Sequence, residues 1–237
     1  MSLIFILLGT FFLLAFLGVP IAISLGVASG IGMLTAGIAQ RMFAGVDSFS
    51  YLAIPMFMLA GKLMEYGGIS ARIVQVAKIL CAKVRGGLAI TSIVACSFFA
   101  ALSGSAPATV SAIGGIMYPE MLKDGYDEEF AGGMISVAGN LGPLIPPSIL
   151  MVTIGVCTGV SISDMFLGGI VIGILLAVVF CLTAYVICRR RNYGGSGQIY
   201  SSKEKWRIFW SAMPALGMPI IILGGIYGGY FTPTEAS

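Results

Sequence analysis

Two short runs of this chain carry the side chains most able to do chemistry. The first is Leu102-Ser103-Gly104-Ser105-Ala106-Pro107-Ala108-Thr109, and the second is Gly139-Asn140-Leu141-Gly142-Pro143-Leu144-Ile145-Pro146-Pro147-Ser148. In the first, small residues permit a tight turn that exposes carbonyls, hydroxyls and the leading amides of the next helix. In the second, Pro143, Pro146 and Pro147 cannot continue a helix, because proline has no N–H and its ring clashes with the preceding turn. Both runs offer hard, neutral oxygens: the hydroxyls of Ser103, Ser105 and Ser148, the Asn140 amide, and carbonyls around Ser103 and from Gly142 to Pro146. Such a set suits Na⁺, with Ser103, Ser105, Asn140, Gly142 and Pro146 as candidate ligands. Gly104, Pro107, Thr109, Pro147 and Ser148 complete the candidate ion and substrate site. The helix N-termini after the two breaks suit an anionic group, as on an organic acid. The chain has no histidine, and neither run holds a carboxylate. Ser-His and Cys-His catalysis are excluded, no acid–base pair is left for an enzyme, and proton relay through carboxylates is disfavoured. Taken singly, the first run also reads as a small-residue packing site and the second as a proline kink with Asn140 bonded to a neighbouring helix.

The elements that position these runs belong in a membrane. The chain has 237 residues, 58% of them hydrophobic and 10% charged, against about 25% charged in soluble domains. No charge occurs in 1–40, 86–119, 130–163, 165–188 or 208–234, stretches that fit spans of about 20 residues. The first lacks a basic leader and a cleavage site, which predicts a retained helix. The net charge of +3 lies in loops, where topology accounts for it, and no nucleic-acid partner is expected.

Residues 2–35 are apolar around Gly18-Val19-Pro20, as one kinked helix or two short ones, and 51–67 form a second apolar segment. In 69–85, Arg72, Lys78, Lys83 and Arg85 alternate with Ile73, Val76, Ala77, Leu80 and Val84. That period predicts a basic amphipathic helix lying at the cytoplasmic membrane surface. The second basic cluster, Arg189–Arg191 with Lys203, Lys205 and Arg207, is placed on the same side. The segment between must return to the side it left. Its arms, 87–102 and 107–118, are about 24 and 18 Å long as helices, short of a core of about 30 Å. A re-entrant hairpin with its tip at Ser103–Pro107 follows, then a cytoplasmic loop 119–129, a span 130–160 broken at Gly142–Ser148, a periplasmic turn at Ser161–Asp164, and spans 165–188 and 208–230. Residues 192–202 read as a flexible loop.

The remaining features are bland. The cysteines Cys81, Cys96, Cys157, Cys181 and Cys188 lack CxxC spacing and read as packing residues. Met56, Phe57, Met58 and Leu59 read as packed or lipid-facing. Gly224-Gly225 and Gly228-Gly229 form a weak small-residue packing signal. Lys62 and Glu65 read as an interfacial pair. Thr232-Pro233-Thr234-Glu235 reads as a capped helix start where the sequence stops.

The chain resembles the large membrane subunit of TRAP (tripartite ATP-independent periplasmic) transporters along essentially its whole length. The resemblance is carried by Gly18-Val19-Pro20-Ile21-Ala22, Ile54-Pro55-Met56-Phe57-Met58-Leu59-Ala60-Gly61, Ser103–Thr109, Gly142–Ser148 and Phe231-Thr232-Pro233-Thr234-Glu235-Ala236 in order. It implies an all-α, multi-span inner-membrane protein with a re-entrant hairpin and a broken helix, moving by an elevator mechanism. It further implies Na⁺-driven import of C4-dicarboxylates or sugar acids such as sialic acid, with no cofactor beyond the coupling ion. A periplasmic substrate-binding protein and a small membrane subunit are the implied partners. The tip of the hairpin and the 142–148 break would form one Na⁺ site. The family's large subunit is nearly twice as long and has two inverted repeats, of which this sequence matches the first. The organisation expected is 1–67 scaffold-like spans, 68–85 interface helix, 86–160 transport-like hairpin and broken helix, and 161–237 scaffold-like spans. The alternative is a non-transporting membrane interaction or structural subunit.

Overall fold

A computed structural model describes residues 2–32, 47, 49–82, 84–193 and 201–236. The expected stretch 33–35 and most of the expected loop, 194–200, lie outside the described residues. Every regular element among the described residues is helical. Two units are distinguished, 1–48 and 49–237.

The first unit holds α1 (Ser2–Phe16) and α2 (Ile21–Gly32). The choice between one kinked helix and two short ones is thereby resolved. Gly18 adopts φ +80° and Pro20 precedes α2, so the helix stops and restarts.

The second unit opens with a 3₁₀ turn, Phe49–Leu52, and α3 (Ala53–Tyr66). It continues with α4 (Ile69–Cys81), α5 (Gly87–Ser103), α6 (Ala106–Lys123) and α7 (Glu128–Gly139). It closes with α8 (Ile149–Thr158), α9 (Ile162–Arg191) and α10 (Ser202–Tyr227). Helix α5 is the hub, packing against α3, α4, α6, α7, α9 and α10. Its composition permits this, since the fully buried Ala89, Ser92, Ala95, Cys96 and Ala100 let neighbouring backbones come close.

Two expectations are corrected. Helix α6 does not end at residue 118. It runs on through Pro119 to Lys123, so the expected loop 119–129 shrinks to the turn 124–127, and the arm measures about 27 Å at 1.5 Å per residue. The apolar face of α4 is largely taken up by protein and not left free for the membrane surface, although Leu80 stays exposed. Ile73, Val74 and Ala77 enter the core with Ile93, Cys96 and Phe99 of α5. Arg72 Nη1 donates to Ser211 O of α10 at 3.2 Å, within the turn that Pro214 opens. Lys78 Nζ meets Glu120 Oε2 of α6 at 2.5 Å.

Helices α9 and α10 are long and apolar enough to cross a membrane. The exposed face of α9, including Val171, Ile174, Leu175, Val178 and Leu182, is apolar and suits lipid. Hydroxyls within the helices turn back onto their own backbone: Ser97 to Ile93 O at 2.8 Å, Thr153 to Ile149 O at 2.9 Å, Thr183 to Val179 O at 2.8 Å. This is how a hydroxyl is satisfied without water.

Helix α9 also serves as a ruler. A Cβ on Gly86, at the base of α5, would lie 2.5 Å from Cys188 Cβ. A Cβ on Gly173 would lie 2.6 Å from Ile145 of the break between α7 and α8. Fifteen residues of α9 separate these levels, about 22 Å, close to the about 25 Å that the 17 residues of α5 span. The base of the hairpin and the turn 124–127 both lie beside Arg189–Arg191. There Arg191 Nη1 bonds Asp127 Oδ2 at 3.2 Å, Tyr193 donates to the same oxygen, and the rings of Tyr126, Phe130 and Tyr193 sit with centroids 5.0–6.1 Å apart.

Lys78→Gln is expected to lower stability by about 1 kcal/mol, since the pair is half-screened. The reversed pair, Lys78→Glu with Glu120→Lys, should recover most of that loss. Thermal unfolding in detergent checks it, and an unrecovered double variant would show that the two groups are not coupled.

Candidate functional site

The site is built from two chain breaks that bury each other. Helix α5 ends at Ser103 because Gly104 turns into the left-handed region, φ +58°, and its N–H still closes on Ala100 O at 2.9 Å. Ser105 is extended and heads α6, with Pro107 at its second position, where the missing N–H costs nothing. On the other chain, α7 ends at Gly139, and Asn140, Leu141 and Gly142 close their N–H groups on Val137, Ala138 and Gly139 carbonyls at 2.9–3.1 Å. The prolines then hold the segment non-helical until Ser148 caps α8. Its hydroxyl donates to Pro143 O at 2.7 Å and accepts from Met151 N–H at 3.3 Å, so one fully buried side chain clamps both ends of the break.

The two breaks meet backbone to backbone. A Cβ on Gly104 would lie 2.5 Å from Pro147 O and 3.2 Å from Ile149 N. A Cβ on Gly142 would lie 2.6 Å from Ser105 O and 2.8 Å from Ala106 N. The first amides of α6 and α8 therefore stand beside the C-terminal ends of α5 and α7. Four helix ends converge, two with partial positive charge and two with partial negative charge. Neither break contains a charged residue.

The sequence-predicted residues take different places here. Ser103, Gly104, Ser105, Gly142, Pro147 and Ser148 are brought together at the contact. Ser103 and Thr109 are buried, with their hydroxyl oxygens 2.9 Å apart, and Thr109 donates to Ser105 O at 2.8 Å. With that proton committed to Ser105 O, Thr109 takes its hydrogen bond from Ser103, and Ser103 Oγ keeps lone-pair capacity for a cation. Pro146 is buried beside Pro147. Pro107 is exposed on the first turn of α6. Asn140 is exposed and its amide turns back to Ser136 O at 3.4 Å, at the rim of the contact.

Other glycines matter that were not singled out as site residues. A Cβ on Gly139 would fall 2.1 Å from Val110 Cγ2 of α6, and one on Gly61 of α3 would lie 3.5 Å from Leu102 O and Ser103 Cα. Gly169 and Gly173 of α9 receive Leu144 O and Ile145. The four-residue spacing of Gly169 and Gly173 is a small-residue signal that could have identified this face.

A profile of the DctM component of tripartite ATP-independent periplasmic transporters matches residues 8–237. The chain belongs to this family. It is a family of transporter permeases, not of enzymes. The chain is 48% identical over 227 residues to the C4-dicarboxylate TRAP transporter large permease protein of Vibrio cholerae, covering 93% of this chain and 50% of that one. It is 39% identical to the ectoine/5-hydroxyectoine large permease protein of Ruegeria pomeroyi, covering 96% and 55%. It is 38% identical to the sialic acid large permease protein of Vibrio cholerae, covering 94% and 54%. The chain thus spans about half the length of these relatives.

Gly104→Ala and Gly142→Ala are each expected to destabilise the chain by about 1–3 kcal/mol, since each Cβ meets backbone that has nowhere to go. Gly133→Ala, where a Cβ meets nothing within 4 Å, should be neutral or stabilising by up to about 1 kcal/mol. Melting temperatures of the three variants in detergent check the contrast.

Proposed function

We propose that the chain acts as the first repeat of a permease subunit in the bacterial inner membrane, importing organic acids by Na⁺-coupled secondary transport. The observation that carries this reading is the convergence of four helix ends at two mutually buried breaks without any charged side chain. Discontinuous helices of this kind build the ion and substrate sites of secondary transporters. Na⁺ would be held by oxygens of Ser103, Ser105, Asn140, Gly142 and Pro146. The N-termini of α6 and α8 would face the anionic group of the substrate. Gly104, Pro107, Thr109, Pro147 and Ser148 set the shape of the breaks.

Helices α5 and α6 enter and leave beside the same basic cluster, which supports a hairpin that re-enters from the cytoplasm without crossing. The family's elevator motion, with the hairpin and broken helix moving against the other spans, is part of this proposal. So are delivery by a periplasmic substrate-binding protein and completion by a small membrane subunit. The substrate class follows the relatives: a C4-dicarboxylate, or a sugar acid such as sialic acid.

The test is uptake of labelled C4-dicarboxylate and of sialic acid into proteoliposomes with the small subunit and loaded binding protein, comparing this chain with one extended by a second repeat. Uptake driven by a Na⁺ gradient, and not by a proton gradient alone, is expected from the extended chain. Uptake by neither chain with either substrate would overturn the proposed substrate class, and an extended chain that binds no Na⁺ would overturn the coupling. If both chains fold but neither transports nor binds Na⁺, the structural-subunit reading takes over. Ser103→Ala with Asn140→Ala should weaken Na⁺ affinity at least about tenfold, through loss of two neutral ligands. Unchanged Na⁺ affinity in that purified double variant would sink the ligand assignment.

A further inference from the structure

Helix α10 begins with a face that the transport site does not use. Lys203, Trp206, Arg207 and Trp210 follow the i, i+3, i+4, i+7 spacing of one helical face, and all four are exposed. Trp206 and Trp210 are 65% and 54% exposed, and their rings pack edge to face, with centroids 5.7 Å apart and planes at 75°. Among the described residues, neither Lys203 nor Arg207 forms a salt bridge.

Helix stability does not explain the cations. They occupy the first turns, at the positive end of the macrodipole, where basic residues are disfavoured. The capping box of Ser201 and Glu204 already serves the helix start. The face lies at the edge of the apolar span, which is charge-free from Ile208 onward. Exposed Tyr227 and Tyr230 stand at the opposite end. An indole prefers the boundary where its ring is in hydrocarbon and its N–H in the headgroup layer. A soluble anion would leave both indoles without an apolar partner, and a zwitterionic lipid would leave both cations without net countercharge.

We infer that the Lys203–Trp206–Arg207–Trp210 face is a docking surface for anionic phospholipid. Lys203 and Arg207 meet the headgroup phosphates, and the two indoles bracket the top of an acyl chain. The inference rests on α10 being a membrane span, and not on transport by the chain.

The experiment uses a property of this sequence: its two tryptophans are the two on this face, so intrinsic fluorescence reads the site directly. The full chain is placed in phosphatidylcholine vesicles carrying a small fraction of either brominated phosphatidylglycerol or brominated phosphatidylcholine. Stronger quenching by the brominated anionic lipid at equal mole fraction, with the difference lost at high salt, is expected. Lys203→Gln with Arg207→Gln should cut that preference about thirtyfold, from two cations near an anionic surface. Lys205→Gln, about 160° away around the helix from Arg207, should retain it and serves as the folded control. Equal quenching by both lipids in the wild-type chain would overturn the inference and leave the face a general interfacial anchor. No quenching by either would also overturn it, by showing that protein covers the face.

Discussion

Hydrocarbon cannot hydrogen-bond, so a chain within it must satisfy every backbone N–H and C=O internally. The rest of this structure follows from that constraint. Two helices are broken, at Gly104–Ser105 and at Gly142–Ser148, and each break releases polar backbone groups. They are tolerated because each break is covered by the other. Gly104 lies against Pro147 and Ile149, and Gly142 lies against Ser105 and Ala106. The same rule explains why Ser148 bonds both Pro143 O and Met151 N–H, and why helical hydroxyls elsewhere fold back onto carbonyls four residues earlier.

A buried contact of this type demands small residues and rigid neighbours. The glycines supply the first, since any Cβ at Gly104 or Gly142 would overlap backbone. The hub position of α5 and the clamp of α9 supply the second. Gly169 and Gly173 receive one side of the break, and Gly61 approaches the tip from α3. At the far end, Asp127, Arg191, Tyr193 and Phe130 tie the return of the hairpin to the end of α9. Helix α4 is held between α6 and α10 through Glu120 and Ser211. The tip is therefore fixed from its base, about 25 Å away along α5, as well as locally.

Convergent helix ends give this contact its electrostatic character without ionised side chains. Two N-termini and two C-termini sit side by side, so cation-seeking carbonyls and anion-seeking amides lie within a few ångströms of each other. A fixed carboxylate in the same place would need a permanent partner in a low-dielectric setting. Neutral dipoles impose no such requirement.

Much of this was determined by the sequence alone, because its physical causes are local. Charge-free stretches mark the apolar helices, prolines and glycines mark the breaks, and Thr232 with Glu235 marks a cap. The 3.6-residue period of 69–85 marks α4. The backbone N–H and hydroxyl of Thr232 indeed hold the Glu235 carboxyl below its usual range. Tertiary structure decided what depends on neighbours. It decided that α6 runs through Pro119 and that most of the apolar face of α4 meets α5. It decided that the two breaks touch, that Asn140 lies at their rim, and that Gly139, Gly61, Gly169 and Gly173 are contact points. Burial by a partner helix and burial by lipid leave the same apolar pattern in a sequence, and only the fold tells them apart.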